Sequence, residues 1–554
     1  MLLKNETNSR SLLATWKNRD KKTVGDSRIS KAPVGATIPL SSGQQRLWFL
    51  QRLLPENPVY NYAESFIFKG ELNEAAFEHS LQSVFEENPI LRAYYPYEDG
   101  RPIQVTDESS KVDLKRFDLS GMPKVDQEKQ KLDLLLSDAR RHFNLNEFPL
   151  IRTTLVKLNN DEHVFLLTMH HIIFDKWSMD LFLKELAAHY LAYSTDFEIE
   201  KKEENRLQFA DYAYWRKNRE LDAIQMAYWT KKLGGEIPLL TLPTDYSLPA
   251  NPSYKGTSYR TKFSSTLSKR VLDLSKKMET TPYVFLLSVY YILLHKYSNQ
   301  KDILVGSPIS LRKDTALENI MGFFDETVVL RTSVLSEMTF SNLVKQVRTT
   351  VLEAFSNTDI PFEALVKALS PKRSLSVNPF FRVMFIYHSV KNTPSFGPGL
   401  ELSHSFFNPG VSKFDLTLFV GNEDGLLSTG FEYATDLFEE STIIQLQEHL
   451  RLLLETITTT PDQKIADITM LTASEKAIFL DNPQKVENHI ASFVGIHKAI
   501  EHVAKTQPDK TALTFEDVSI SYETLNREAE KVAVALLGKI KKNNETIVLC
   551  SERS

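Results

Sequence analysis

Helix and strand patterns alternate along both halves of this 554-residue chain, and this alternation constrains the fold more than any other feature. A stretch rich in Pro, Gly and Ser, GGEIPLLTLPTDYSLPANPSYKG, separates the two halves and is typical of a connection between lobes. Elements that alternate in this way favour helices packed on sheets. The sequence therefore predicts a mixed α/β fold with two lobes of similar size.

Individual elements follow from the spacing of apolar residues. Short apolar runs predict buried strands at HVFLLTMHH, DILVGSPIS, FFDETVVLRTSVL and NPFFRVMFIYHSV. Helical spacing predicts helices at NEAAFEHSLQSVFEENPILRAYY, TPYVFLLSVYYILLHKYS and FSNLVKQVRTTVLEAFSN. We expect the first of these helices to end at Asn88 and Pro89, and Ser178 to cap the helix that follows HVFLLTMHH.

Composition narrows the function classes. The chain is 42% apolar and 25% charged, which is ordinary for a globular protein, and its net charge of -5 gives no reason to expect nucleic-acid binding. No apolar stretch predicts a membrane span, and the polar N-terminus lacks a signal-peptide core. The only cysteine, Cys550, permits no internal disulfide and no thiol nucleophile before it, so we expect a cytoplasmic protein.

The stretch FLLTMHHIIFDKWSMDLFLKEL contains the strongest candidate site, with His170, His171 and Asp175 where a predicted strand gives way to a helix. Two adjacent histidines on a strand point to opposite faces and cannot ligate one metal together. We therefore expect one histidine to face a cavity and the other to face the protein interior, with no metal bound.

This stretch resembles the His-His-x-x-x-Asp-Gly motif of the condensation domains of nonribosomal peptide synthetases. Further segments resemble motifs of that family in the family's order, and together they cover about residues 38–475. They are LSSGQQRLWFL, NPILRAYY, FADYAYWRKN, MGFFDETVVLRT, NTDIPFEALVKAL and NPFFRVMF. Beyond them, SISYETLNREAEKVA is similar to the first motif of an adenylation domain, and the chain stops inside a further predicted strand, ETIVLC.

The resemblance implies two lobes, each like chloramphenicol acetyltransferase, arranged as a V-shaped pseudodimer around a tunnel, with a truncated C-terminal fragment. The domain limits predicted on this basis are a flexible leader at 1–37, an N-terminal lobe at 38–220, a C-terminal lobe at 221–475, a linker at 476–493 and a partial adenylation domain at 494–554.

The resemblance also implies the reaction and its partners. An upstream donor carrier protein and a downstream acceptor carrier protein present thioesters on their phosphopantetheine arms, with an adenylation domain in cis. The acceptor amine attacks the donor thioester, and no cofactor binds the domain directly. His171 matches the family residue that accepts the amine's proton or orients the amine, for which a neutral imidazole is suited.

Supporting roles are implied for the neighbouring residues. His170 is expected to pack or hydrogen-bond inside the protein, and Asp175 to hold the turn through an ion pair with Arg92. Ser178 is interpreted as a helix cap, because no Gly-x-Ser-x-Gly elbow surrounds it. Trp177 either lines the tunnel or packs under the helix, and the sequence leaves both alternatives open.

Three residues depart from the family pattern. Lys176 follows the motif aspartate where the family usually has glycine, and Asp325 with Glu326 replace a frequent Val-Asn pair. Lys176 would narrow the donor side or add a charge there, which fits a subtype for a polyketide-type or other acyl donor.

An epimerisation domain and a catalytically silent carrier-docking module are the alternative functions to condensation. The adenylation start argues against the first, and the presence of His171 argues against the second.

Overall fold

A computed structural model of the chain describes residues 29–108, 111–195, 206–369, 378–390, 393–480, 495–515 and 518–539. The chain divides into two compact units, residues 1–470 and 471–554. None of the described helices combines the length and apolarity that crossing a membrane requires.

Strands and helices alternate throughout the first unit, as the sequence predicts. Its strands are β1 (Ile38–Pro39), β2 (Asn61–Lys69), β3 (Ala93–Tyr94), β4 (Tyr97–Glu98), β5 (Arg101–Thr106), β6 (Leu114–Asp118), β7 (Ile151–Asn159), β8 (Glu162–His170), β9 (Gly256–Lys262), β10 (Asp302–Ser310), β11 (Asp325–Ser333), β12 (Val383–Val390), β13 (Glu401–Ser405), β14 (Leu416–Glu423) and β15 (Leu426–Ala434).

The helices that cover these strands include the three predicted from periodicity. They are α1 (Ser42–Leu53), α2 (Glu74–Glu87), α3 (Lys124–Arg140), α4 (Lys176–Ser194), α5 (Phe209–Lys217), α6 (Ala223–Leu233), α7 (Ser265–Lys277), α8 (Pro282–Ser298), α9 (Phe340–Ser356), α10 (Phe362–Leu369) and α11 (Glu440–Thr459).

The first large sheet has the strand order β13-β2-β8-β7-β6. Its central strand β8 is buried from its second residue to its last, because a continuous apolar run can be covered on both faces. On one face, the ring of Phe77 from α2 packs edge-on against Phe165 of β8, at 5.0 Å between ring centroids. The position of β8 fixes where His170 and His171 emerge.

The second large sheet has the order β11-β10-β12-β14-β15-β9, and helix α8 is buried against it. Phe285, Tyr290 and Tyr291 on α8 have no exposed surface, as expected for a helix that is apolar on most of its faces. The two sheets and their helices confirm the predicted mixed α/β fold. A smaller sheet joins β1, β5, β3 and β4.

A crossing strand links the two halves of the chain. Strand β13, which the sequence limits assign to the C-terminal lobe, pairs antiparallel with β2 at the edge of the first sheet, from Glu401 opposite Lys69 to Ser405 opposite Ser65. The predicted lobe limits stay a prediction, but the sheets do not divide along them. The crossing brings His404 and the segment after it beside the first sheet.

The second unit contains α12 (Ala473–Leu480), α13 (Ile496–Thr506), a hairpin of β16 (Thr511–Phe515) and β17 (Val518–Ser521), and α14 (Tyr522–Leu537). The last predicted strand and Cys550 lie outside the described residues, as does most of the predicted leader and linker.

Candidate active site

The two adjacent histidines lie at the end of β8 in different surroundings. His170 is the last residue of the strand, and His171 begins a short 3-10 turn, His171–Ile173. His170 has no exposed surface, whereas His171 is half-buried. The structure therefore confirms that one histidine faces inward, although the change from strand to turn contributes to the separation.

The imidazole of His171 is oriented by the turn that it begins. Its Nδ1 lies 2.7 Å from the backbone carbonyl oxygen of Phe174. A carbonyl oxygen only accepts hydrogen bonds, so Nδ1 carries the hydrogen and Nε2 keeps a lone pair. No described residue hydrogen-bonds to this Nε2. The ring rests against Phe323 and Tyr62, at 5.1 Å and 5.5 Å between ring centroids.

Electrostatics keep this imidazole neutral. Burial, followed by the positive charge of Lys413, lowers the pKa of His171 to about 3. At neutral pH the ring therefore carries no proton on Nε2. The site accordingly presents an unprotonated ring nitrogen in a fixed orientation.

His170 is satisfied inside the protein. The backbone N–H of Ile172 donates to its Nδ1 at 3.1 Å, so the hydrogen is on Nε2, which lies 3.3 Å from Oε1 of Gln51. Burial, with a smaller effect of His171, lowers the pKa of His170 to about 3. Both nitrogens are occupied, which leaves His170 no free atom for chemistry.

Asp175 caps helix α4, which begins at Lys176. Its Oδ1 accepts hydrogen bonds from the backbone N–H and the hydroxyl of Ser178, at 2.8 Å and 2.7 Å. The prediction that Ser178 is the cap is therefore wrong. The carboxylate precedes the helix by one residue and reaches the free N–H groups of its first turn, which a side chain already within the helix cannot do.

The cation that pairs with Asp175 is Arg312, and the predicted pairing with Arg92 is wrong. The Nη1 and Nη2 atoms of Arg312 donate to Oδ2 and Oδ1 of Asp175 at 2.6 Å and 3.1 Å, and both side chains are buried. Arg92 instead donates to the backbone carbonyls of Phe85 and Asp107, at 3.2 Å and 2.8 Å. Its guanidinium thus joins the end of α2 to the residue that follows β5 through hydrogen bonds.

The same buried network fixes the second half of the chain against α4. The backbone N–H of Phe324 donates to Oδ2 of Asp175 at 3.0 Å, and the backbone N–H of Gly322 donates to the Ser178 hydroxyl at 2.9 Å. A Cβ atom at Gly322 would lie 2.0 Å from the ring of Phe209, so glycine is required for this close approach. Ser178 thus connects α4 to Gly322, and its hydroxyl is engaged in this buried network.

Trp177 and Lys176 occupy the more open side of this turn. The indole Nε1 of Trp177 donates to the carbonyl of Glu318 at 2.8 Å, and the side chain is partly exposed. Nζ of Lys176 lies 3.2 Å from Oδ1 of Asp180 and 3.9 Å from Oε1 of Glu64. Lys176 is therefore held by two carboxylates.

Glu64 connects this lysine to the surroundings of His171 and to the crossing strand. Its carboxylate accepts hydrogen bonds from the Tyr62 hydroxyl and, at 3.0 Å, from Nε2 of His404 on β13. Burial opposes ionisation, but Lys176 and His404 lower the pKa of Glu64 to about 2. The result is an ionised carboxylate that ties α4, β2 and β13 together.

The acidic pair at the start of β11 also has a definite position. Oε1 of Glu326 accepts a hydrogen bond from Nη1 of Arg46 on α1 at 3.0 Å, which joins the opening motif to the second sheet. Burial, and then the charge of Asp175, raise the pKa of Asp325. No group of three or more His, Cys, Asp or Glu side chains suited to hold a metal ion occurs among the residues that the structure describes.

Comparison with known proteins agrees with this architecture. Residues 34–480 match the family model described as Condensation domain. The chain is 37% identical over 524 residues to one of the linear gramicidin synthase proteins of Brevibacillus parabrevis, which covers 94% of this chain and 10% of that protein. It is 32% identical over 507 residues to phosphinothricin tripeptide synthetase PhsC of Streptomyces viridochromogenes, which covers 90% of this chain and 46% of that protein. The chain thus spans less than half the length of either relative.

Solved structures share the fold. The X-domain from teicoplanin biosynthesis superposes with a TM-score of 0.71 at 25% identity, over 80% of this chain and 100% of that one. A four-domain nonribosomal peptide synthetase bound to AMP and glycine superposes with a TM-score of 0.72 at 22% identity, over 94% of this chain and 40% of that one.

The fold is of the chloramphenicol acetyltransferase-like type that condensation domains share. The chain belongs to the condensation-domain family of nonribosomal peptide synthetases, whose members form amide bonds in the synthesis of peptide natural products.

Sequence reasoning missed several residues of the site. Arg312 comes 137 residues after its partner Asp175, and no spacing rule connects the two. The Phe324 amide is a backbone group, which no motif of side chains reveals. Tyr62 and Glu64 lie two residues apart and so share a face of β2, but no strand is predicted there from the sequence.

Proposed function

We propose that this domain joins a carrier-bound acyl or peptidyl thioester to the amine of a carrier-bound aminoacyl thioester, with His171 as the residue that receives the amine's proton. The observation that carries the proposal is a neutral, half-buried imidazole whose Nδ1 lies against the carbonyl of Phe174 and whose Nε2 receives no hydrogen bond from the described residues. This arrangement supplies a lone pair at one atom with a fixed direction.

The proposed reaction proceeds without a covalent acyl-enzyme. The acceptor nitrogen attacks the thioester carbonyl carbon, the C–N bond forms, and the carbonyl π electrons move to oxygen. His171 Nε2 takes the proton that the nitrogen loses. When the oxyanion collapses, the C–S bond breaks, and the departing thiolate takes the proton back from His171 Nε2, which regenerates the neutral imidazole and a free phosphopantetheine thiol.

The neighbouring residues are proposed to position His171 rather than to touch the reacting atoms. His170 and Asp175 hold the two ends of the turn that carries His171, and Ser178 joins that turn to Gly322. Arg92 supports the scaffold at the end of α2, and Trp177 is proposed to border the tunnel.

Lys176 is proposed to tune the donor side of the site. Its position at the first residue of α4 lies one residue after Asp175, and its ammonium is held beside Glu64. A glycine at this position would leave that space open. The lysine therefore favours donors with a slim acyl chain near the thioester.

The partners follow from the family. We propose an upstream donor carrier and a downstream acceptor carrier that deliver their substrates on phosphopantetheine, and an adenylation domain in cis that begins in residues 494–554. The protein is proposed to act in the cytoplasm. Support comes from relatives that are much longer synthetases, such as the gramicidin and phosphinothricin enzymes.

The test is to incubate the 554-residue chain with acyl-loaded donor carriers and aminoacyl-loaded acceptor carriers, and to identify the products on the acceptor by mass spectrometry. The expected result is an amide on the acceptor carrier with wild type and a loss of about 10²- to 10⁴-fold in rate with His171→Ala. Absence of amide from every class of acyl donor would contradict the proposal. Inversion of a carrier-bound stereocentre without amide formation would indicate an epimerisation domain instead.

A further inference from the structure

Lys413 lies beside the candidate site and contacts no charged partner among the described residues. It is located between β13 and β14, and its Nζ is placed 5.5 Å from the centroid of the Tyr60 ring. The side chain is half-buried, and within the described part of the chain its ammonium makes no hydrogen bond or ion pair. Three N–H donors are therefore available in a partly dehydrated position.

Tyr60, whose ring Lys413 contacts, lies at the end of β2 that adjoins the turn His171–Ile173. The ladder between β2 and β8 ends at the pair Asn61 and His170, so Tyr60 and His171 are the next residues on the two chains. Tyr62, two residues further along β2, contacts the His171 ring directly. The ammonium thus reaches the first sheet at the same end as His171.

The backbone that carries Lys413 is fixed on both sides. The backbone N–H of Ser412 donates to the Tyr254 carbonyl at 2.9 Å, and the Ser412 hydroxyl donates to the Phe414 carbonyl at 2.7 Å. Nearby, Nε of Arg140 on α3 donates to the Pro409 carbonyl at 2.8 Å, which holds the segment against the first sheet. The backbone from which the Lys413 side chain extends is consequently held in place.

The electrostatics of the neighbourhood agree with this placement. Burial lowers the pKa of Lys413, against the opposing effects of Glu432 and Asp325. The charge of Lys413 in turn helps to lower the pKa of His171. Lys176 differs, because two carboxylates within 4 Å already neutralise it.

We propose that Lys413 is a further catalytic residue, which donates a hydrogen bond to the thioester carbonyl oxygen as that oxygen becomes an oxyanion. The inference rests on the proposed function. In the same step the acceptor nitrogen bonds to the carbonyl carbon and gives its proton to His171, while the C–S bond breaks only when the oxyanion collapses. A cation that gains an anion only in the transition state accelerates the reaction without tightening substrate binding.

The test compares Lys413→Met, Lys413→Arg and, as a matched surface control, Lys269→Met. Lys269 is exposed and pairs with Asp273 within its own helix. Two measurements are made on each variant. One is the single-turnover rate of amide formation with saturating loaded carriers. The other is the affinity for two pantetheine-linked analogues, an anionic phosphonamidate that mimics the tetrahedral intermediate and a neutral amide.

Lys413→Met is expected to lower the single-turnover rate by about 100-fold and to weaken binding of the phosphonamidate by a similar factor. Binding of the neutral amide should stay near the wild-type value, and Lys413→Arg should recover part of both losses. Lys269→Met should behave as wild type. If Lys413→Met does not fold, Lys413→Gln takes its place in both measurements.

Two results would overturn the inference. One is a wild-type rate in folded Lys413→Met. The other is an equal loss of affinity for both analogues together with a lower melting temperature, which indicates a structural lysine. Failure of the proposed function is distinguishable, because wild type itself would then form no amide.

Discussion

Two sets of polar groups near His171 differ in how many hydrogen-bond partners the protein supplies. The set behind His171 is the network around Asp175, and the set in front of it consists of His171 Nε2 and the Lys413 ammonium. Behind, each oxygen of the Asp175 carboxylate accepts at least two hydrogen bonds, from Ser178, Arg312 and the Phe324 amide. In front, the described residues supply no hydrogen-bond partner for His171 Nε2 or for the Lys413 ammonium.

This difference distinguishes the groups that support the site from those that we propose to contact the reacting atoms. A buried carboxylate with a full set of partners has no remaining capacity for a substrate, and its loss acts through stability. A half-buried polar atom that lacks a hydrogen-bond partner in the protein is able to form a hydrogen bond with the substrate. Proximity in the sequence therefore does not indicate a shared role, even though His171 and Asp175 belong to one short segment.

The largest effect on stability is expected when Arg312, the cation that pairs with Asp175, is removed. Arg312→Met leaves the Asp175 carboxylate buried without a counter-charge, so the free energy of unfolding should fall by about 3–5 kcal/mol. Urea denaturation measures it. Arg92→Met is the control, because Arg92 contacts backbone carbonyls, and its loss should cost only about 1.5–3 kcal/mol. A larger loss from Arg92→Met than from Arg312→Met would reverse the assignment of the ion pair.

The protonation state of the two histidines gives a second prediction. Their folded pKa values of about 3 lie below the unfolded value of about 6.5. The unfolded chain therefore binds more protons as pH falls below that value, and the stability due to neutral His170 and His171 is lost progressively towards pH 3.

Nitrogen NMR of histidine-labelled protein checks this directly. The His171 ring, assigned by comparison with His171→Gln, should stay neutral with its hydrogen on Nδ1 between about pH 5 and 8. A midpoint of titration near the ordinary histidine value of about 6.5 would show that the imidazole is solvated and that its preorganisation is much weaker than the structure implies.

The smallest effect is expected at Lys176. Lys176→Gly removes the contacts with Asp180 and Glu64, and partly exposed ion pairs of this kind contribute about 1 kcal/mol or less to stability. The melting temperature should therefore change little. The rate with a branched acyl donor should rise relative to that with an unbranched donor, and an unchanged ratio would remove Lys176 from the donor side.

Much of the fold could be predicted from the sequence because the central elements have strong local patterns. The buried run of β8 and the apolar faces of α8 leave few alternatives for either segment. The residues of β13, ELSHS, form a short strand that alternates weakly, and they pair with β2, which lies far away in the sequence. Such a crossing strand cannot be inferred from local periodicity.

The site was only partly predictable for a similar reason. The motif placed His171 and Asp175 correctly next to each other at a strand end, because both belong to one continuous segment. Arg312, which pairs with Asp175, and Lys413 both come from distant segments, and a single arginine or lysine in a connecting segment has no distinctive spacing. Tertiary packing alone selects them.

The most direct test of the division between scaffold and chemistry is the single-turnover rate of amide formation in His171→Ala and Asp175→Asn, measured at a temperature where both variants are folded. We expect His171→Ala to lose at least about 100-fold in rate while melting close to wild type. Asp175→Asn should melt lower yet keep most of the rate. A full rate in His171→Ala, or a folded Asp175→Asn that forms no amide, would contradict it.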